Sequence, residues 1–294
     1  MQSSPPMAPY QAVILAAGRG SRLAEHTHSC PKALLPIGPR SLQDPTPTNF
    51  LRRQVELLSE LGVSQIVVVI GTLGQQIATE VQRWSVPVHL VLNPTEDMGG
   101  SGSLHSFQFA VRSPHGILDG YHQTLLMDAD IVYDRRVLAR FLTAPTASSL
   151  LLSRQHQQDD SEEVCVYGSE AAPRFLGKAL TPMLVGDSPC LGEATGIVKF
   201  APQDHPLVRE AITWLVGDPD APSDSRAQRG FGPAGVATEH EVLTQHLMHL
   251  QRMRCVSFGP ELSFMECDDA REYDHVRGHF YPALLQQEAE PCDP

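Results

Sequence analysis

The sequence predicts an α/β fold: a mostly parallel, doubly wound sheet with a small added antiparallel section. Three observations carry that prediction. Short apolar runs alternate with amphipathic segments through the first half of the chain. The runs are rich in branched residues and lack period-two alternation, as strands covered on both faces do. The two most chemically loaded stretches, Ala16-Ala17-Gly18 and Asp128-Ala129-Asp130, both fall where such strands end, and ligands of open α/β sheets bind beyond the carboxyl ends of the strands.

Each element has its own signal. Met1 to Pro9 is polar and proline-bearing, a flexible N-terminus, and Val13 to Leu15 is a buried strand that stops at Ala16. Pro39 to Thr48 is turn-rich and excludes regular helix or central strand. Phe50 to Leu61 is a helix with Leu51, Val55 and Leu58 on one face and Gly62 as its stop. Ile66 to Ile70 is a strand, followed by a helix at Leu73 to Trp84 and a strand at Val88 to Leu92. Leu104 to Val111 is helical, Thr124 to Met127 a strand and Arg135 to Leu142 a helix. From Ser149 to Gly235 shorter strands (Leu150 to Leu152, Val164 to Tyr167, Gly196 to Phe200) form the antiparallel section, with a helix from Arg209 to Val216. Gly217 to Gly235 reads as a long loop, equally suited to a lid or a surface insertion. Val242 to Leu250 is a helix, Cys255 to Phe258 a strand, and Glu261 to Cys267 returns to the sheet. Tyr273 to Gln287 covers it, and residues 288 to 294 form a flexible tail, so residues 10 to 287 make one domain.

Composition narrows the function classes. The 294 residues are 41% hydrophobic, enough for a large core, and the net charge of -12 repels a nucleic-acid backbone. A nucleotide carried with a divalent cation is compatible with that charge, because the cation neutralises phosphates and carboxylates together. No apolar run approaches a membrane span of about 20 residues. The six cysteines show no Cys-x-x-Cys spacing, and no signal peptide precedes them, so reduced thiols in a soluble, cytoplasmic protein are expected. A homodimer is compatible with all of this.

The chemistry centres on Leu15-Ala16-Ala17-Gly18-Arg19-Gly20-Ser21-Arg22-Leu23 and, after a polar gap, Pro31-Lys32-Ala33-Leu34-Leu35-Pro36. Gly18 and Gly20 remove side chains where backbone amides would cradle an anion, and Arg19, Arg22 and Lys32 supply charge. No Gly-Lys-Ser/Thr follows, and Leu23 stands where a dinucleotide fingerprint would place its third glycine. Together the two blocks resemble the signature of the nucleotidyltransferases that load sugar phosphates, phosphocholine or phosphonates onto a nucleotide, a family with a Rossmann-like, GT-A-like sheet.

Paired carboxylates at a strand end, here Asp128 and Asp130 at alternate positions, would point the same way and suit magnesium. On spacing alone a turn or helix cap before Asp134 fits as well. The resemblance assigns the metal to Asp130 and leaves Asp128 to the nucleotide side. Phe264-Met265-Glu266-Cys267-Asp268-Asp269 resembles the closing stretch of phosphocholine and phosphonate cytidylyltransferases, which implies Asp268 as the second metal ligand. Glu266 would support Asp268, while Asp269 and Glu266 itself fit equally a solvated helix start. Asn93-Pro94 and Ser103-Leu104 resemble a nucleotide-contacting approach in the same enzymes, with an ordinary helix cap as the alternative for Ser103. Gly192 to Ile197 resembles the segment closing over the acceptor, where Glu193, Glu239 or Glu241 would meet a cationic group, with Glu266 also on the acceptor side. Pro39 to Thr48, usually a tighter connection in this family, is expected to be an enlarged loop near the site.

These residues imply a magnesium-dependent nucleotidyltransferase, more narrowly one moving CMP from CTP to a small phosphonate or phosphocholine-like acceptor with release of pyrophosphate. Lys32, Arg22, Asp130 and Asp268 would carry the reaction, and Leu15 to Ser21 the nucleotide. A sugar-1-phosphate nucleotidyltransferase using UTP, dTTP or GTP is the alternative. A glycosyltransferase sharing the sheet fits less well because it would not need Lys32 for a triphosphate, and a silent homologue should lack Lys32 or a metal carboxylate, whereas this chain has both.

Overall fold

The computed structural model describes residues 9–18, 20–94, 101–145, 147–154, 163–217 and 238–290. Arg19, the pair Gly99-Gly100 and the loop expected at 217 to 235, Gly217 apart, lie outside the described residues.

The chain opens with β1 (Tyr10–Ala16), a short helix α1 (Ala24–Thr27), and the paired strands β2 (Pro36–Pro39) and β3 (Pro47–Asn49). Then come α2 (Phe50–Glu60), β4 (Gln65–Ile70), α3 (Gly74–Val81), β5 (His89–Leu92), α4 (Ser103–Arg112), β6 (Gln123–Asp128), β7 (Ile131–Tyr133) and α5 (Arg135–Thr143). The second half holds β8 (Ser149–Ser153), β9 (Val164–Ser169), β10 (Ala172–Lys178), α6 (Pro182–Val185), β11 (Cys190–Phe200), α7 (His205–Val216) and α8 (His240–His249). It closes with β12 (Arg254–Phe258), β13 (Phe264–Glu266), α9 (Ala270–His275), a π-helical turn Val276–Phe280 and α10 (Tyr281–Ala289).

Strands β5, β4, β1 and β6 lie side by side and parallel. Strand β11 then runs antiparallel to β6, and beyond it β8 and β12 pair parallel to each other. The hairpin β9–β10 joins the first half of β11. The antiparallel strands therefore extend the parallel sheet, because β11 is long enough for Cys190–Glu193 to meet β9 while Ile197–Phe200 meet β6.

Alternate residues of the central strands feed two cores. Ile14, Val68 and Met127 pack with Leu51 and Leu58 of α2 and Phe141 of α5, whereas Val13, Val67 and Leu126 pack with Phe107 of α4, Val208 of α7 and Leu243 of α8. Each such fully buried side chain is worth about 1.5–3 kcal/mol. The helix α2 is fixed at its start by Asn49, whose side chain accepts from Arg52 N, and it buries the predicted stripe of Leu51, Val55 and Leu58.

A third core joins the C-terminal segment to the signature region. Leu35, Ile37 and Phe50 pack against Cys267, Tyr273 and Tyr281. The Tyr273 hydroxyl donates to Pro36 O and the Tyr281 hydroxyl to Pro39 O, both at 2.9 Å.

Several expectations change. Pro39 to Thr48 is part of the β2–β3 hairpin, tied back to α2 by Arg40–Glu56, and none of its residues lines the main cavity. Glu261 to Cys267 does not rejoin the large sheet; β13 pairs antiparallel with β7 in a sheet of its own. The tail does not begin at 288: Glu288 lies in α10, 2.7 Å from the Arg53 guanidinium, and also accepts from Arg135 N. Pro9 is already tied in, its carbonyl accepting from Gln123 N. Among the described residues, no helix is long and apolar enough to cross a membrane.

Candidate active site

Beyond the carboxyl ends of β1 and β6 the surface opens into a cavity of about 1060 Å³. Leu15, Ala16, Ala17, Gly18, Gly20 and Ser21 form one wall, so the glycine loop faces the space the sequence assigned it. Gly20 has φ +61, and a Cβ there would meet Lys32 Cβ at 3.0 Å and Thr27 Cγ2 at 3.1 Å. Only glycine allows that turn without moving Lys32.

Lys32 is 9% exposed and reaches across the cavity floor. Its Nζ lies 2.5 Å from Asp130 Oδ2 and 3.4 Å from Asp268 Oδ1, and Arg22 meets Asp268 Oδ1 at 2.9 Å. Burial alone would lower the ammonium's pKa, but Asp130 and Asp268 outweigh it and hold the pKa above its ordinary value.

Strand pairing explains how residues 138 positions apart converge. In the β7–β13 pair Ile131 faces Glu266, and Cys267 N donates to Asp130 O at 3.1 Å. Asp268 is thereby delivered beside Asp130. Downstream, Asp269 caps α9 by accepting from Glu272 N, while Glu272 accepts from Asp268 N and Asp269 N. Asp269 is thus the helix start that the sequence allowed.

Asp130, Glu266 and Asp268 each present a carboxylate oxygen, all within 4.8 Å of one another. Three convergent carboxylates are the donor set a hard divalent cation takes. Burial, then the neighbouring Asp130 and Asp268, push the Glu266 carboxyl up to about 9. Glu266 therefore stands in this cluster beside Asp268, the residue that the sequence has it support, and it also lines the cavity.

Asp128 and Asp130 do not act as a parallel pair. Asp128 ends β6, but Asp130 lies past the strand in the turn, where alternation no longer governs direction. Asp128 faces His240 instead, Oδ2 to Nε2 3.8 Å, and burial pushes its carboxyl up to about 7 against the opposing effect of His240. Gly196 in β11 has φ +68, and a Cβ there would collide with the Asp128 carboxylate, which is why the strand carries glycine at that point.

The far wall assembles Glu163, Lys178, Glu193 and the start of α8. Ser103 lines the cavity at the start of α4, but its backbone N–H donates to Glu239 Oε2 at 2.8 Å and its Oγ sits 3.1 Å from His240 Nδ1. Glu239 thus caps α4 in this structure. Asn93 does not line the cavity: it is buried, and its Nδ2 donates to Ser101 Oγ and Ser106 Oγ, fastening the approach to α4. His240, 3% exposed among Glu239, Glu241 and Asp128, was missed by the sequence, as was Lys178. Burial alone would lower the His240 pKa, yet the surrounding carboxylates raise it. A histidine between two glutamates was the available signal for the first; Lys178 carried none.

A glycine cradle, a lysine and a carboxylate cluster at the edge of an open α/β sheet define a nucleotide-handling protein. Residues 12–184 match the model of the MobA-like NTP transferase domain, and the chain belongs to that family. It is 32% identical over 154 residues to the CMP-5'-(3-aminopropyl)phosphonate synthase of Streptomyces rubellomurinus, a match covering 52% of this chain and 22% of that protein. It is 31% identical over 150 residues to the choline-phosphate cytidylyltransferase of Haemophilus influenzae, covering 50% of this chain and 55% of the relative. The aligned stretches thus span about a fifth and about half of these relatives. Among solved structures, the inositol-1-phosphate CTP transferase from T. maritima superposes with a TM-score of 0.65 at 16% identity, over 98% of this chain and 99% of that one. The CTP:phosphocholine cytidylyltransferase from Streptococcus pneumoniae gives 0.62 at 17%, over 92% and 98%. At these identities the likeness is one of fold.

Proposed function

We propose that this protein is a magnesium-dependent cytidylyltransferase that moves CMP from CTP to a small phosphonate or phosphate monoester bearing an ammonium group, with release of pyrophosphate. The observation that carries the reading is the convergence of Lys32, Arg22, Asp130 and Asp268 at the foot of the glycine loop. The names of the relatives matched at 32% and 31% support the choice of CMP transfer.

A phosphonate or phosphate monoester ionises a second time near a pKa of about 6, so near neutrality the acceptor oxygen is a nucleophile without a general base. The amides of Ala16 to Ser21 receive the triphosphate, and Lys32 and Arg22 offset charge that grows toward the leaving pyrophosphate. Asp130 and Asp268, with Glu266 beside them, would hold Mg²⁺, which would supply neutralisation of phosphate charge. In-line attack on the α-phosphorus forms the new P–O bond as the α–β bridge breaks.

The acceptor's cation is met by carboxylates. Glu163, Glu193 and Glu241 stand on the far wall together with Lys178, whereas the aromatic rings in the lining, Phe264 and Phe280, come from the C-terminal segment. Carboxylates suit a primary ammonium, which donates hydrogen bonds, better than a quaternary one, which favours aromatic faces.

Pyrophosphate release across the four ribonucleoside triphosphates and dTTP, with 3-aminopropylphosphonate, 2-aminoethylphosphonate, phosphocholine, inositol 1-phosphate and glucose 1-phosphate, tests the reading. CTP with an aminoalkylphosphonate should be preferred. Preference for UTP or dTTP with the hexose phosphate would replace the reading with a sugar-1-phosphate nucleotidyltransferase.

A further inference from the structure

Between the cation cluster and the helix behind it lies a contact that the chemistry above leaves unused. Gln54, in the middle of α2, is 1% exposed. Its Nε2 donates to Asp128 O at 3.1 Å and to Ile131 O at 3.5 Å, so a single amide group spans the turn that carries Asp130. The neighbouring Arg53 donates to Tyr133 O at 3.0 Å, one strand length further on. From the opposite side Cys267 N holds Asp130 O.

The Gln54 Oε1 atom is buried and, among the described residues, has no hydrogen-bond partner. Leaving a buried amide oxygen unpaired opposes folding, a cost that a methionine of similar volume would avoid while giving up both donated hydrogen bonds. A polar side chain stands here although its stabilising return is poor. Both hydrogen bonds it makes end on the carbonyls flanking Asp130.

We infer that Gln54 is a positioning residue: it fixes the Asp128–Ile131 turn so that the Asp130 carboxylate stays in register with Asp268 and Glu266 for a divalent cation. It touches neither substrate nor cation and acts through the backbone of the turn. Partners that orient a ligating carboxylate typically change metal affinity by about 10–100-fold when removed. The inference rests on the reading that Asp130 and Asp268 hold that cation.

The experiment uses the full chain with Mn²⁺ as probe, titrated without nucleotide and followed by electron paramagnetic resonance of the free ion, alongside the Mg²⁺ dependence of pyrophosphate release. The variants are Gln54→Met and, as a control for loss of a buried amide elsewhere, Gln123→Met, whose side chain donates to the Tyr10 hydroxyl at the other end of β6. Gln54→Met should weaken Mn²⁺ binding roughly tenfold, raise half-saturating Mg²⁺ in parallel and leave the CTP KM at saturating Mg²⁺ within about twofold of wild type, while Gln123→Met leaves Mn²⁺ binding unchanged. Wild-type Mn²⁺ affinity in Gln54→Met would overturn the positioning role alone. Absence of Mn²⁺ binding to the wild type, or equal loss in both variants, would overturn it too, and the former would remove the cation-site reading with it. Gln54→Leu carries the same expectations should the methionine variant fail to fold.

Discussion

Replacing Lys32 with methionine removes one ammonium while keeping most of the buried stem, and the geometry predicts effects of opposite sign on two observables. With Nζ at 3.4 Å from Asp268 Oδ1, an effective dielectric of about 20 gives a pair attraction of roughly 5 kcal/mol before desolvation. The Asp130 contact is closer still, at 2.5 Å. Breaking such a buried pair costs about 3–5 kcal/mol net. In turnover, the lost charge opposite the triphosphate should appear as a fall of at least ~100-fold, or about 2.7 kcal/mol. In metal binding the sign reverses, because Lys32 pairs with two of the three carboxylates that a dication would take, and its ammonium repels that dication. Mn²⁺ should therefore bind Lys32→Met about tenfold more tightly than wild type without nucleotide. Stopped-flow pyrophosphate release and Mn²⁺ titration on one preparation measure both. Turnover within threefold of wild type, or weaker Mn²⁺ binding, would refute the assignment of Lys32.

Asp268→Asn removes the carboxylate charge shared by Lys32 and Arg22, so turnover should fall by about 100-fold and Mn²⁺ binding should weaken; calorimetric titration showing unchanged affinity would count against Asp268 as a ligand. Gly196→Ala pushes a methyl into the Asp128 carboxylate at a positive φ, which should lower stability by about 1–3 kcal/mol in urea unfolding, and an unchanged midpoint would contradict the close approach. Lys199 is buried with Nζ donating to Phe141 O at 3.2 Å and to Ala144 O and Pro145 O at 3.3 Å, and burial lowers its pKa from 10.5 to about 8. The unfolded chain thus binds more protons between those values, so stability should rise as pH climbs from about 8 to about 10.5, with a slope approaching ~1.4 kcal/mol per pH unit. The rise should be missing from Lys199→Met, and parallel pH profiles for the two proteins would sink the argument.

The elements that the sequence placed well are those whose signals are local. The Leu51–Val55–Leu58 stripe of α2 and the unalternating β4 run need nothing beyond their own neighbours, and Ala16 to Lys32 announces its chemistry through glycines and charge. What escaped was set by distant pairing. Nothing near Phe264 says that it will pair with Tyr133, and without that pairing Glu266 cannot be placed beside Asp130. Asp128 misled because strand alternation was carried to Asp130, two residues past the strand's end. Asn93 misled because a buried amide and a ligand-facing amide have the same letter; only the Ser101 and Ser106 hydroxyls decide between them.

The C-terminal clamp bears on the order in which the site can come into being. Arg53 waits for Glu288, Pro36 for Tyr273, and Lys32 for Asp268, contacts separated by 235, 237 and 236 residues. During synthesis the amino-terminal part of a chain emerges and organises first. The phosphate cradle and the parallel strands can therefore form on the ribosome while Lys32 still lacks its second carboxylate. Only the arrival of β13 and the helices after it closes the floor of the cavity. A nascent chain is thus kept from assembling the complete charge cluster until β13 and the helices after it are made, so the cradle precedes the carboxylates that complete it.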